Sequence, residues 1–255
     1  MRRITMITGA TAGIGEACAW KFAGQKHDLI LTGRRADRLE ALADEIRNSE
    51  GVEVQTLVFD VRERAAVQAA WESLSEEWRK VAILVNNAGL ALGREPLHEG
   101  NVDEWDTMID TNVKGLLYVT KMVLPEMVAA RSGHIINMGS VAGREVYPNG
   151  NVYCASKFAV EGLSRALRLD VAPFNIKVTT ISPGAVETEF SVVRFGGDET
   201  KAAAVYEGIT PLTGPDIAEM VWFAASQPAH ICINDINLTC TAQANVSTMI
   251  RNAGM

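Results

Sequence analysis

Tyr153 and Lys157 stand four residues apart, and Ser140 lies thirteen residues before the tyrosine. On a helix, positions i and i+4 share a face, so the phenol and the ammonium point into the same space. A cation beside a phenol favours the phenolate and lowers its pKa. Bringing a phenol from about 10 to about 7 requires roughly 4 kcal/mol of differential stabilisation, at about 1.36 kcal/mol per unit. The product is a proton donor and acceptor usable near neutrality. An isolated Y-x-x-x-K pair reads more simply as two surface residues of an amphipathic helix, so the company it keeps decides its meaning.

That company is a regular alternation. Apolar, β-branched runs occur at Ile4–Thr8, Leu29–Thr32, Val54–Phe59, Ile83–Val85, His134–Met138, Ile176–Ile181 and Ile231–Leu238. Between them lie helical patterns at about Ile14–Ala23, Ala36–Arg47, Arg62–Trp78, Val102–Ala130, Val152–Ala172 and Pro215–Ser226. The alternation predicts an α/β fold: a doubly wound parallel sheet of about seven strands, with helices on both faces in three α/β/α layers. No Pro/Gly/Ser-rich linker or internal repeat interrupts it, so one domain is expected over residues 1–255. The stretch Glu187–Leu212, with Gly196, Gly197 and Gly208, reads either as a lid over a ligand crevice or as a plain surface excursion.

Bulk properties narrow the class. A chain of 255 residues, 47% hydrophobic and 22% charged, suits one large globular domain. No apolar run approaches the roughly 18 residues of a membrane span. The first strand pattern begins at Ile4, which leaves no room for a leader and suggests a cytoplasmic protein. Cys18, Cys154, Cys232 and Cys240 show no metal or disulfide spacing, so no metal is expected. The net charge of -7 argues against a nucleic-acid partner and against docking to an acidic carrier protein, yet leaves room for a local basic pocket.

The first strand pattern runs into Thr8-Gly9-Ala10-Thr11-Ala12-Gly13-Ile14-Gly15. A Gly-rich turn between a strand and a helix lets backbone N–H groups approach a pyrophosphate, and the helix N-terminus adds favourable electrostatics. We therefore expect Gly9, Thr11, Ala12, Gly13, Ile14 and Gly15 at a dinucleotide. The spacing is G-x-x-x-G-x-G rather than G-x-G-x-x-G, and its position at the first strand–helix junction supplies the context such a motif needs. The second strand pattern ends in Gly33-Arg34-Arg35, where a site for the unphosphorylated dinucleotide usually has a carboxylate. Arginine binds phosphate in a bidentate manner, so the pair predicts NADP(H) with Arg34 and Arg35 around the 2′-phosphate. Asp60 and Val61 are expected at the adenine edge. Asn87, Ala88 and Gly89, after the fourth strand pattern, are expected along the cofactor.

Taken together, Thr8–Gly15, Asn86–Gly89, Asn112, Ser140, Tyr153–Lys157 and Pro183-Gly184 resemble the short-chain dehydrogenase/reductases over nearly the whole chain. The resemblance implies a Rossmann-type sheet and an oxidoreductase acting on CH–OH groups. It implies that Tyr153 is the general acid in carbonyl reduction and the base in alcohol oxidation. Ser140 would polarise the substrate oxygen. Lys157 would lower the tyrosine's pKa, helped by a positively charged cofactor ring, and hold the nicotinamide ribose. Asn112 would support a water chain, and Pro183, Gly184, Val186 and Thr188 would embrace the nicotinamide end. It also implies a homodimer or homotetramer through the two long helices.

Asn86–Gly93, Asn151-Val152-Tyr153, Glu189–Phe195 and Pro228-Ala229-His230 resemble a subgroup, the bacterial NADP-dependent 3-hydroxy acid (serine or allo-threonine) dehydrogenases. Sulfoacetaldehyde reductases look similar. Both imply a short aldehyde or alcohol carrying a small anion. Arg194 is the first candidate to hold that anion and Arg144 the second, with Tyr147 and Gln243 adding hydrogen bonds. Two alternatives stand beside this reading. A 3-oxoacyl-carrier-protein reductase would want a basic docking face. A non-catalytic NADP-sensing scaffold would be expected to lack Ser140, Tyr153 or Lys157.

Overall fold

The computed structural model describes residues 3–251; residues 1, 2 and 252–255, the ends of the expected 1–255 domain, lie outside the described residues. Seven parallel strands form one sheet: β1 (Ile4–Thr8), β2 (Asp28–Gly33), β3 (Val54–Val58), β4 (Val81–Asn86), β5 (Gly133–Met138), β6 (Ile176–Pro183) and, at the far edge, Asp235–Leu238. The order is β3-β2-β1-β4-β5-β6 and then the edge strand. All five residues of β1 are buried, as a strand covered on both faces requires.

Helices cover both faces. On one lie α1 (Gly13–Gly24), α2 (Ala36–Glu50) and, late in the chain, a helix over Gly214–Ala225, all packed on Ile7, Leu29, Leu31 and Val85. In α2 the buried residues Leu39, Leu42, Ala43 and Ile46 follow the helical repeat, and the helix stops at Gly51 in the left-handed conformation. The opposite face carries α3 (Arg64–Ser73), α4 (Val102–Ile109), α5 (Leu116–Ala130) and α6 (Asn151–Val171). There Trp71, Val119, Val123, Met127 and Val171 pack on Ile30, Leu84 and Ile135.

Three departures from the sequence expectation have local causes. The helix expected over Arg62–Trp78 ends at Ser73, whose Oγ donates to the Ala70 carbonyl, and Leu74 turns extended and buries its side chain. The single helix expected over Val102–Ala130 is two helices joined by a π-helical turn, Asp110–Gly115. The last strand begins at Asp235 rather than Ile231, because only there does the chain come into register with Thr180–Pro183.

The 187–212 stretch is ordered by a second, two-stranded sheet. Its strands, β7 (Val186–Glu187) and β8 (Leu212–Thr213), pair in parallel at the two ends of the excursion. Between them run α7 (Glu189–Arg194), capped by Thr188, and α8 (Glu199–Ala204). The Gly214–Ala225 helix, α9, then starts from a capping box of Thr213 and Asp216, and the edge strand is β9. The tail returns to the same crevice: Gln243 bridges Met249, and Arg251 donates to the carbonyls of Val205 and Glu207 just past α8. Among the described residues, no helix is long and apolar enough to cross a membrane.

Candidate active site

Neighbouring strands β1 and β4 run on to opposite halves of the sheet, and the crevice beyond their C-terminal ends is the expected ligand site of such a sheet. The two turns there are tied together. Thr8 Oγ1 accepts from the backbone N–H groups of Asn87 (3.0 Å) and Ala88 (2.9 Å). Asn87 Nδ2 donates to the carbonyls of Thr8 and Gly9. Gly9 takes φ +67°, a conformation that favours glycine. At Gly15 a Cβ would stand 2.2 Å from the Gly9 carbonyl oxygen, so glycine is needed there for the helix to abut the turn.

A crevice of about 340 Å³ follows. It is walled by Gly9, Thr11, Ala12, Gly13 and Ile14 at the turn; by Arg34, Arg35, Asp60 and Val61 at one end; and by Asn87, Ala88, Gly89, Ser140, Tyr153, Lys157, Pro183, Gly184, Val186 and Thr188 along and beyond its middle. Gly15 is not on its wall; it lies beneath, as packing. The expected cofactor residues thus converge from six separate stretches of chain. Thr32, Phe59, Leu90, Thr111 and Phe190 line it too and were not anticipated; as small or apolar wall residues they carry no chemical signature.

The catalytic candidates are held from behind by a polar ladder. Asn86 Nδ2 donates to Asn137 Oδ1 and Thr120 Oγ1, and Asn137 Nδ2 donates to Ser164 Oγ on α6. Asn112 is buried in the π-helical turn, where its Nδ2 donates to the Leu90 carbonyl and to Ser156 Oγ, and its Oδ1 accepts from the Leu90 N–H. Ser156 Oγ donates in turn to the Tyr153 carbonyl. Asn112 therefore clips the β4 turn to α6, and its side chain is occupied in doing so. Each bond contributes on the order of 1 kcal/mol, and together they fix where α6 presents its face.

On that face Tyr153 and Lys157 follow one another by a turn, with Lys157 Nζ 5.9 Å from the Tyr153 ring centroid. Ser140, at the end of the β5 turn, accepts from the Ala142 N–H and stands beside the Tyr153 hydroxyl. Burial works against the pKa lowering expected from spacing. Burial pushes the Tyr153 phenol above its ordinary value, and the neighbouring Ser140 hydroxyl and Arg194 guanidinium only partly oppose it. Burial also lowers Lys157 to about 8, with Nζ donating to the Met138 carbonyl at 2.9 Å. The lysine does not by itself bring the phenol towards neutrality, because the dry wall that strengthens the pair also penalises both charges.

A second cavity, about 790 Å³, opens from the first at Ser140, Tyr153 and Phe190. Phe190 packs edge-on against Tyr153 with centroids 5.8 Å apart. Arg194 reaches it from α7, donating from Nη2 to the Tyr147 hydroxyl at 2.8 Å, while its Nε is buried without an acceptor. Arg94, not anticipated, also stands over the Tyr147 ring, 5.9 Å from its centroid. Gln243 is on the wall but its Oε1 accepts from the Ala185 N–H, so it also pins the strand end. Arg144 is not on the wall. It pairs with Asp235 (3.1 Å) and with the buried Glu161 (3.6 Å), partners that draw it to the β9 edge and away from a substrate role. Lys201 and Arg251 complete a lining in which, among the described residues, no Asp or Glu takes part.

The family model for short chain dehydrogenase matches residues 3–195, and the chain belongs to that family of oxidoreductases. It is 50% identical over 242 residues to the NADP-dependent 3-hydroxy acid dehydrogenase YdfG of Salmonella typhi, covering 94% of this chain and 96% of that protein. It is 46% identical over 245 residues to sulfoacetaldehyde reductase 2 of Chromohalobacter salexigens, covering 96% of each. Among solved structures it resembles the closed form of serine dehydrogenase complexed with NADP+, with a TM-score of 0.91 at 46% identity over 98% of this chain and 99% of that one.

Proposed function

We propose that this enzyme interconverts a short aldehyde or ketone and the corresponding alcohol, on a carbon skeleton bearing a small anion, with NADP(H) as its cofactor. Malonic semialdehyde and 3-hydroxypropionate, serine, or sulfoacetaldehyde and isethionate are the substrates we infer. One observation carries the reading: in a chain of net charge -7, the cavity beside Ser140 and Tyr153 has Arg94, Arg194, Lys201 and Arg251 on its wall and no described carboxylate. Lys201 is paired with Asp198, and Arg251 is spent on backbone carbonyls. Arg194, with a buried Nε–H lacking an acceptor, is the group whose chemistry calls for an anion. The cavity exceeds what a three-carbon acid fills, so a fixed charge must do more of the selecting than shape.

When bound, the cofactor supplies the hydride and, in its oxidised form, a positive ring. The chain supplies the rest. Ser140 donates to the substrate oxygen, Tyr153 passes or takes the proton at its phenolic oxygen, and Lys157 would hold the cofactor's ribose and add positive charge. Arg34 and Arg35, on the crevice wall, would hold the 2′-phosphate. Arg194, with Tyr147, orients the substrate anion so that its carbonyl end meets Ser140 and Tyr153. The enzyme works in the cytoplasm as a homodimer or homotetramer.

The test is a rate comparison of malonic semialdehyde, sulfoacetaldehyde, serine and 3-hydroxypropionate with NADP(H). At least one anionic substrate should outpace its uncharged analogue, and Arg194→Gln should raise KM for it while leaving the uncharged analogue unaffected. Equal rates on charged and uncharged aldehydes would remove the anion from the reading.

A further inference from the structure

Three arginines, Arg34, Arg35 and Arg38, gather at the adenosine end of the crevice, and one carboxylate engages two of them. Glu189, the first residue of α7, accepts from Arg35 Nη1 at 2.8 Å and from Arg38 Nη1 at 2.6 Å. Arg35 is otherwise committed to Thr11, donating from Nε to its hydroxyl and from Nη2 to its hydroxyl and carbonyl. The Glu189 side is therefore where a phosphate can gain a paired grip on Arg35. The other nearby acids are placed differently. Asp60 is held by Arg62 at 2.8 Å, with Arg34 more loosely at 3.7 Å, and the partly buried Glu16 lies near enough to Glu189 for the two charges to repel.

We propose that Glu189 is a specificity-determining residue for the cofactor: its carboxylate competes with the 2′-phosphate for Arg35 and Arg38, so that a phosphorylated cofactor releases the first turn of α7. A dinucleotide without that phosphate leaves the pairing intact. The consequence reaches the substrate end, because α7 also carries Phe190, packed on Tyr153, and Arg194, bound to Tyr147. The phosphate is thus read at the arginines and again, through one short helix, beside the reacting groups.

The inference rests on the NADP reading, and the experiment separates the two. The full chain and its Glu189→Gln variant are titrated calorimetrically with 2′,5′-ADP and with 5′-ADP, and hydrogen exchange is followed over residues 189–195. Glu189 is 46% exposed on its side chain, so the variant should fold, and Glu189→Ala serves as a second variant. Both variants should bind 2′,5′-ADP about three- to tenfold more tightly, the range expected for losing one or two exposed ion pairs. Their 5′-ADP affinity should not change. In the unmodified chain, 2′,5′-ADP should speed exchange in α7; in the variants exchange should be fast already. Equal or weaker 2′,5′-ADP binding by the variants would overturn the proposal. If the unmodified chain itself fails to prefer 2′,5′-ADP, the NADP reading fails instead.

Discussion

At the scale of single residues, Lys157 shows what the site asks of its parts. Its amine is buried and lowered to about 8 from an ordinary value near 10.5, so in the unfolded chain the same group holds its proton more tightly. The sign follows: its destabilising effect is fully present below about pH 8 and is relieved as pH rises from about 8 towards the unfolded value. At about 1.36 kcal/mol per unit the charge costs roughly 3 kcal/mol near neutrality. Lys157→Met should therefore stabilise the fold by about 2 kcal/mol at pH 7, after the lost hydrogen bond to the Met138 carbonyl is deducted, while activity disappears. Urea unfolding at pH 7 and pH 10 checks this, since the gain should shrink at the higher pH. Tyr153, Lys157 and Ser140 were legible because their spacing states a chemistry. Arg144 misled because its partners, Glu161 and Asp235, lie 17 and 91 residues away along the chain, and Arg94 was missed because one arginine in a loop looks like any other.

At the scale of elements, six of the seven strands were legible within two residues at either end, because a strand buried on both faces must read as a continuous apolar run. The exception, β9, sits at the sheet edge and is only half covered, so the apolar Ile231–Ile233 stretch before it gave a false start. The π-helical turn at Asn112 left no compositional trace, since shifting a hydrogen bond by one residue changes no side chain. The β1–α1 junction was readable, and it makes a prediction. In Gly15→Ala the new methyl would meet the Gly9 carbonyl at 2.2 Å and Asn87 Nδ2 at 2.5 Å. Backbone must shift, so the variant should lose about 1–3 kcal/mol of stability and bind NADPH more weakly still. Thermal unfolding with and without NADPH measures both. A variant with unchanged NADPH affinity would separate that glycine from the cofactor turn.

For the whole molecule, the sheet's change of direction between β1 and β4 locates the crevice, and helices α5 and α6 each keep large apolar side chains exposed. Leu117 on α5, and Phe158 and Leu169 on α6, remain 41%, 44% and 79% exposed. Exposed apolar side chains on these two helices fit the proposed association through them. Sedimentation should give a dimer or tetramer, and Leu169→Glu should shift it towards smaller species; a monomer in the unmodified chain would refute that assignment. The tail lies over its own crevice, with Arg251 fastened behind α8, a contact between distant segments that no local pattern announces.

Proton transfer at the Tyr153 hydroxyl is the step on which the proposed reaction depends. The most direct measurement is single-turnover oxidation of bound NADPH by whichever anionic aldehyde proves fastest, in the unmodified enzyme and in Tyr153→Phe, with NADPH affinity measured in parallel. The account predicts a rate lower by about 10²–10⁴-fold with NADPH affinity unchanged, since the phenyl ring keeps the packing with Phe190 and only the proton donor is lost. A variant that turns over at close to the unmodified rate would contradict it.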